Sequence, residues 1–209
     1  MKRQAMFFDF DGVVLDSVSV KTDAFYEMYL PNGKDIAEKV KQYHLEHGGI
    51  SRFEKFRHYE HELLGKKVDE EEIKKLGDRF SELVFEKVLR AHFIPGALEF
   101  IEKYHKLYDC YVISGTPEDE LKVIVEKRAL AHFFNGIYGS PMKKADILGM
   151  LLFLNGYEPT KCFYFGDAGT DLEAAHRHSV PFVLVLSPDN RHLASNSDKA
   201  VEDFKEMVI

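Results

Sequence analysis

Apolar residues fall into two rhythms along the 209-residue chain. Residues 5–9, AMFFD, open with an unbroken apolar run, as expected of a strand buried on both faces. From about residue 17 to 93 only helical spacing is found. Ile36, Val40 and Tyr43 mark one helix before Gly48-Gly49. Phe53, Phe56 and Leu63 mark a second, and Ile73, Leu76, Phe80, Leu83 and Val84 a third. After Pro95-Gly96 the character changes. ALEFIEKYHKL reads as helix, CYVIS (110–114) as strand, 118–130 as helix and GIYG (136–139) as strand. A helix beginning near Lys144 follows, then KCFYFGD (161–167) as strand, another helix, and PFVLVL (181–186) as strand.

Strands alternating with helices predict an α/β fold built on a doubly wound parallel sheet. Residues 1–16 and 94–209 are expected to form its Rossmann-like core, with 17–93 as an inserted helical domain. In such sheets ligands bind outside the carboxyl ends of the strands.

Composition changes the picture only by exclusion. Hydrophobic residues make up 45% and charged residues 30%, ordinary for a soluble globular chain. A net charge of −7 argues against nucleic acid or an anionic membrane as partner. No apolar run reaches the roughly 18 residues of a spanning helix. The start MKRQAMFFDFDG is too short in apolar residues for a signal peptide and is broken by two Asp. Cys110 and Cys162 sit in separate apolar segments, which suggests buried small hydrophobes rather than a disulfide or zinc framework. A cytoplasmic monomer is the expectation.

The chemistry lies at the expected strand ends. The first strand runs into Asp9-Phe10-Asp11-Gly12, and the second into Ser114-Gly115-Thr116-Pro117. The third leads to Gly139-Ser140-Pro141-Met142-Lys143-Lys144, and the fourth to Gly166-Asp167-Ala168-Gly169-Thr170-Asp171. Two like charges as close as Asp9 and Asp11 repel unless a cation or a proton intervenes. The set suits phosphoryl transfer. Hard oxygen ligands suit Mg²⁺, a carboxylate can act as nucleophile, and a second acid can move protons. A lysine and a hydroxyl can neutralise phosphoryl oxygens. Each piece also has a purely local reading. Thr116 with Pro117 fits a helix N-cap, Thr170 to Glu173 a capping box, and Lys143 and Lys144 a solvated helix start. All four pieces in this order are hard to obtain by chance.

These motifs resemble those of the haloacid dehalogenase-like hydrolase superfamily. DFDGVVLDS matches its first motif, CYVISGT its second at Ser114, SPMKKADIL its third and GDAGTDLEAA its fourth. The helical insertion resembles the cap of the phosphoglycolate phosphatase and β-phosphoglucomutase subgroup. The resemblance implies a Mg²⁺-dependent phosphatase acting on a small phosphorylated metabolite. Asp9 would be the nucleophile and a metal ligand. Asp11 would be the general acid/base, lending its backbone carbonyl to the metal. Asp167 would be the other carboxylate ligand, and Asp171 would orient metal-bound water or the lysine. Ser114 and Gly115 would bind the phosphoryl group, and Lys144, rather than Lys143, would balance charge. The second Asp of the first motif, absent from true dehalogenases, favours phosphate esters.

In the cap, HGGISRFEKF places Ser51 to cap a helix and Arg52 to hold a substrate carboxylate or second phosphate. That stretch is similar to the β-phosphoglucomutase cap, so a sugar phosphomutase is the alternative. Against it, Lys21 stands where the mutase has a hinge histidine. A signalling receiver domain is disfavoured by the position of Asp9 and by the helical insertion, and a silent binding protein by the complete motif set. The pairs His44/His47 and His58/His61 read as surface residues without a ligand role.

Overall fold

The computed structural model describes residues 4–209. Six parallel strands form the sheet, in the order β3-β2-β1-β4-β5-β6. They are β1 (Ala5–Phe8), β2 (Asp109–Pro117), β3 (Gly136–Ser140), β4 (Phe163–Gly166), β5 (Phe182–Val185) and β6 (Lys199–Val201). The apolar run of β1 has the physical cause expected of it: all four residues are buried. Met6 and Phe8 enter one core cluster, Ala5 and Phe7 the other, as the two-residue strand period requires. The cluster around Phe8 contains Phe100 and Ile101 of α5 (Ala97–Tyr104) and Leu121 and Ile124 of α6 (Glu118–Lys127). The cluster around Phe7 contains Leu148 and Leu151 of α7 (Lys144–Asn155) and Ala174 of α8 (Gly169–Arg177). Each of the larger buried side chains among these contributes roughly 1.5–3 kcal/mol.

β6 has no counterpart in the sequence reading. It is three residues long, two of them exposed, and carries no apolar alternation. Short, lysine-bearing strands of this kind are how sheets blunt their edges. The helix expected over 118–130 ends at Lys127, where the chain turns through Ala129 at φ 57°.

Between β1 and α5 the chain forms α1 (Val18–Tyr29), α2 (Lys34–Glu46), α3 (Arg52–His58) and α4 (Glu70–Leu89). α3 continues as one wider turn through Leu63. α4 starts at a reciprocal cap: Glu72 N–H donates to Asp69 Oδ1 (2.8 Å) and Asp69 N–H to Glu72 Oε2 (3.0 Å). Ser51 caps α3, accepting from Phe53 N–H at 3.3 Å. The four helices close on Phe25, Phe56, Tyr59 and Phe80, with Phe25 and Phe80 rings 4.2 Å apart. The two connections to the sheet run side by side. Asp16 N–H donates to His92 O (2.8 Å) and Ile94 N–H to Val14 O (3.1 Å). Among the described residues no helix is long and apolar enough to cross a membrane.

Candidate active site

The order of the sheet reverses at β1, so the carboxyl ends of β1, β2 and β4 flank one crevice. Asp9 follows β1 directly. Its N–H donates to Phe165 O of β4 (2.9 Å), and its Oδ1 accepts from Phe10 N–H (2.6 Å). Lys144, the first residue of α7, is buried and reaches back across the strand ends. Its Nζ donates to Asp9 Oδ2 at 2.5 Å and to Asp171 Oδ1 at 2.7 Å. Asp171 also accepts from Tyr164 OH (2.9 Å) and from Ala168 N–H (3.2 Å). Lys143 is exposed.

Asp9, Asp167 and Asp171 each offer a carboxylate oxygen, all within 4.8 Å of one another. With all three ionised, the carboxylates against the Lys144 ammonium would leave two negative charges in a buried site. Burial raises the Asp9 carboxyl to about 7 despite the pull of Lys144. Burial, reinforced by Asp9 and Asp171, raises Asp167 well above the ordinary range. An all-oxygen donor set with two surplus charges fits a hard divalent ion such as Mg²⁺. Gly12 is required beside it: at φ 80°, a Cβ there would lie 2.3 Å from Asp167 Oδ2.

Asp11 is turned away from this group. Its carboxylate accepts from Ser17 Oγ (2.6 Å), from Thr116 Oγ1 (3.0 Å) and from Lys21 Nζ. Burial acts to raise its pKa, but Lys21, Ser17 and Thr116 outweigh it, and the group lies below its usual value. Two residues expected to cap helices are thereby reassigned. Thr116 is not the cap of α6; Pro117 is, and the Thr116 hydroxyl bridges Asp11 and Lys21, accepting from Lys21 Nζ at 2.7 Å. Thr170 does not cap α8 either; its hydroxyl donates to Gly48 O (3.2 Å) in the helical block. Ser17, at the N-cap of α1, makes no cap bond because its hydroxyl serves Asp11. Local rules fail here because tertiary partners compete for the same side chains.

Ser114 is buried at the end of the buried stretch of β2, accepts from Thr116 N–H (3.2 Å) and lines the cavity with Gly115. The loop 47–50 sits directly on this edge. A Cβ on Gly49 would lie 2.0 Å from Thr170 Oγ1, and one on Gly115 2.3 Å from Gly49 O. The result is a cavity of about 240 Å³ between the strand ends and the helical block, walled in part by Phe25 and Phe80.

Arg52 also lines the cavity, but its guanidinium is already engaged. It donates to Glu120 Oε1 (2.7 Å) and Oε2 (2.9 Å) and to Ser81 Oγ (2.6 Å), and lies 4.8 Å over the Phe80 ring. The sequence reading missed Lys21 as a partner of Asp11, missed Lys55 altogether, and took His44 for a surface residue. Lys21 stands one helical turn after Ser17, and Lys55 three residues after Arg52, so same-face spacing was the available signal. His44 is buried, not a surface residue, whereas His47 and His58 stack on Tyr43 at 3.9 and 3.8 Å.

The class this fold and edge define is that of α/β proteins with a doubly wound parallel sheet and a carboxylate-rich strand-end site beneath an inserted helical block. The sequence model described as haloacid dehalogenase-like hydrolase matches residues 6–185, and the chain belongs to that family. No curated protein matches the sequence. Among solved structures, a predicted phosphoglycolate phosphatase from Haemophilus somnus 129PT is similar at 18% identity and TM-score 0.75, covering 99% of this chain and 96% of that one. A β-phosphoglucomutase from Clostridium difficile is similar at 17% identity and TM-score 0.76, with coverage of 99% and 94%. CbbY from Rhodobacter sphaeroides, solved in complex with phosphate, is similar at 15% identity and TM-score 0.75, with coverage of 98% and 96%.

Proposed function

We propose that the protein is a Mg²⁺-dependent phosphatase that hydrolyses a small phosphomonoester through a phosphoaspartate at Asp9. The observation that carries this reading is the Asp9 carboxylate. It is held by Lys144 within a three-carboxylate cluster, while Asp11, two residues on, is held separately.

Asp9, Asp167 and Asp171 would hold the ion. When bound, it would offset the surplus charge and polarise the phosphoryl oxygens. In the free protein Lys21, Ser17 and Thr116 hold the Asp11 carboxyl ionised; it is protonated as the substrate phosphate adds negative charge beside it. Asp9 attacks phosphorus, and the P–O bond to the alcohol breaks as that oxygen takes the proton from Asp11. Asp11, now ionised, takes a proton from water, whose oxygen attacks phosphorus and frees Asp9 and inorganic phosphate. Ser114 and the Gly115 N–H bind the phosphoryl oxygens, and Lys144 keeps the Asp9 carboxylate in line. Residues 17–93 act as a cap that closes over the substrate and excludes water from the first step. The small cavity favours a metabolite of a few carbons over a nucleotide.

The phosphomutase alternative drew on the likeness of the cap stretch around Arg52 to the β-phosphoglucomutase cap, and the lack of a hinge histidine weighed against it. Arg52 is paired with Glu120, and Lys21 occupies the hinge position beside Asp11. The lysine at the hinge position favours the phosphatase. The test is phosphate release from p-nitrophenyl phosphate and a panel of metabolite monophosphates, with Mg²⁺, with EDTA, and with Asp9→Asn. Metal-dependent release that is lost in the variant is expected. Undiminished release by Asp9→Asn would remove Asp9 as nucleophile. Conversion of a sugar phosphate without net release, dependent on a bisphosphate, would select the mutase.

A further inference from the structure

The cavity contains a cation that the reaction just described does not use. Lys55 is 3% exposed, on the face of α3 that looks towards the strand ends. Its Nζ donates to His44 Nδ1 at 2.8 Å and to His44 O at 3.3 Å. The other cations around the cavity have carboxylate partners: Lys21 has Asp11, Arg52 has Glu120, and Lys144 has Asp9 and Asp171. Lys55 has none within ion-pair reach among the described residues.

A buried ammonium without a counter-ion costs several kcal/mol, and a chain gains nothing in stability by keeping it. The surroundings agree that the charge is uncomfortable. Burial first, then Lys21 and Lys144, pull Lys55 down to about 7, while Asp167 and Asp11 act weakly the other way. His44 is driven well below its usual value by burial and by Lys55, so it is neutral and its Nδ1 is free to accept. The Phe25 ring lies 5.7 Å from the ammonium and supplies only a weak cation–π contact. The lysine is therefore oriented by a neutral imidazole, opens onto the cavity, and lacks the anion that would complete it.

We propose that Lys55, presented by His44, is the subsite for a second anionic group of the substrate, a carboxylate or further phosphate a few carbons from the transferred phosphoryl group. This deepens the phosphatase reading and rests on it for the position of that phosphoryl group. Arg52, the residue the sequence favours for this task, is neutralised by Glu120; Lys55, one turn further along the same helix, is the unneutralised cation.

The test is equilibrium binding to the full chain with Mg²⁺, by calorimetry. The probes are methylphosphonate, which has no second anion, phosphonoacetate and phosphonopropionate, which carry a carboxylate, and propylenediphosphonate, which carries a second phosphorus. Wild type is expected to bind at least one tailed probe about 10-fold or more tighter than methylphosphonate. In Lys55→Met that ratio falls to about 2-fold or less, and in Lys55→Arg most of it returns. The ranking of the carboxylate and diphosphonate probes identifies the anion. A wild type without preference, or a ratio preserved in Lys55→Met, would overturn the proposal. These probes are not turned over, so the two readings fail separately: an intact ratio with no hydrolysis of any monophosphate removes the phosphatase and keeps the subsite.

Discussion

Arg52 and Glu120 meet as a two-point ion pair between the helical block and α6, with N···O distances of 2.7 and 2.9 Å. Ser81 of α4 completes the group, donating to Glu120 Oε2 at 2.5 Å. Burial acts to raise Glu120, but Arg52 and Ser81 outweigh it and hold it ionised below its usual value. The pair ties three elements together over one wall of the cavity.

Removing Glu120 leaves a buried guanidinium beside Phe80 without its counter-ion. Glu120→Ala is expected to destabilise the protein by about 2–4 kcal/mol, because the surviving charge is uncompensated. Thermal melting of the variant should show a drop of roughly 5–15 °C. Replacing both partners, as Arg52→Met with Glu120→Leu, should recover most of it. A double variant as unstable as Glu120→Ala would show that packing, not charge, is lost.

Lys144 is the cation built into the carboxylate cluster. Lys144→Met leaves Asp9, Asp167 and Asp171 facing one another, and should cost on the order of 3 kcal/mol of stability in EDTA. Added Mg²⁺ should stabilise this variant more than wild type, since a site with no ammonium competing for its carboxylates binds the ion more tightly, and stabilisation grows with the logarithm of concentration over Kd. Scanning calorimetry with and without the metal decides it. An equal response of the two proteins would place the ion elsewhere.

Lys21 and Thr116 fix the Asp11 carboxylate. Lys21→Met removes the charge that lowers the Asp11 pKa but frees its carboxyl to swing, and the lost positioning should blunt proton delivery to the leaving alcohol, a step worth roughly 10²–10⁴-fold. The loss in kcat should be larger for an aliphatic monophosphate, whose alcohol needs a proton, than for p-nitrophenyl phosphate, whose phenolate leaves without one. Equal losses on both substrates would assign Lys21 to packing rather than to positioning Asp11.

Lys55 gives the stability a pH dependence whose sign follows from its environment. Its folded value is about 7 against an ordinary 10.5, burial being the chief cause. Between those values the unfolded chain binds more protons on this group than the folded one, so stability rises with pH across the window. The penalty is fully present below about pH 7 and gone above about pH 10.5. Lys55→Met should therefore melt above wild type at about pH 6, and the gap should close by about pH 10. A gap that does not change with pH would mean that the ammonium is not desolvated.

The strand-end residues were legible because they follow short apolar runs whose two-face burial is a local property. AMFF, CYVIS and FYFG could hardly be anything but interior strands, and a parallel sheet brings their carboxyl ends to one edge. Even Lys144 over Lys143 was readable from its distance to the preceding turn. β6 was not, since an exposed three-residue edge strand leaves no periodic trace.

What the sequence by itself determined is thus the α/β alternation, the helical insertion and the set of groups gathered for phosphoryl transfer. Tertiary structure alone decided how those groups pair. It took Thr116 and Ser17 from the helix caps to Asp11, gave Arg52 to Glu120, and left Lys55 with only a neutral His44. The physical reason is range. Periodicity and capping act within a turn or two of chain, whereas the partner of a buried charge is set by which distant segment the fold lays against it, and the cost of leaving it unpaired exceeds any local preference.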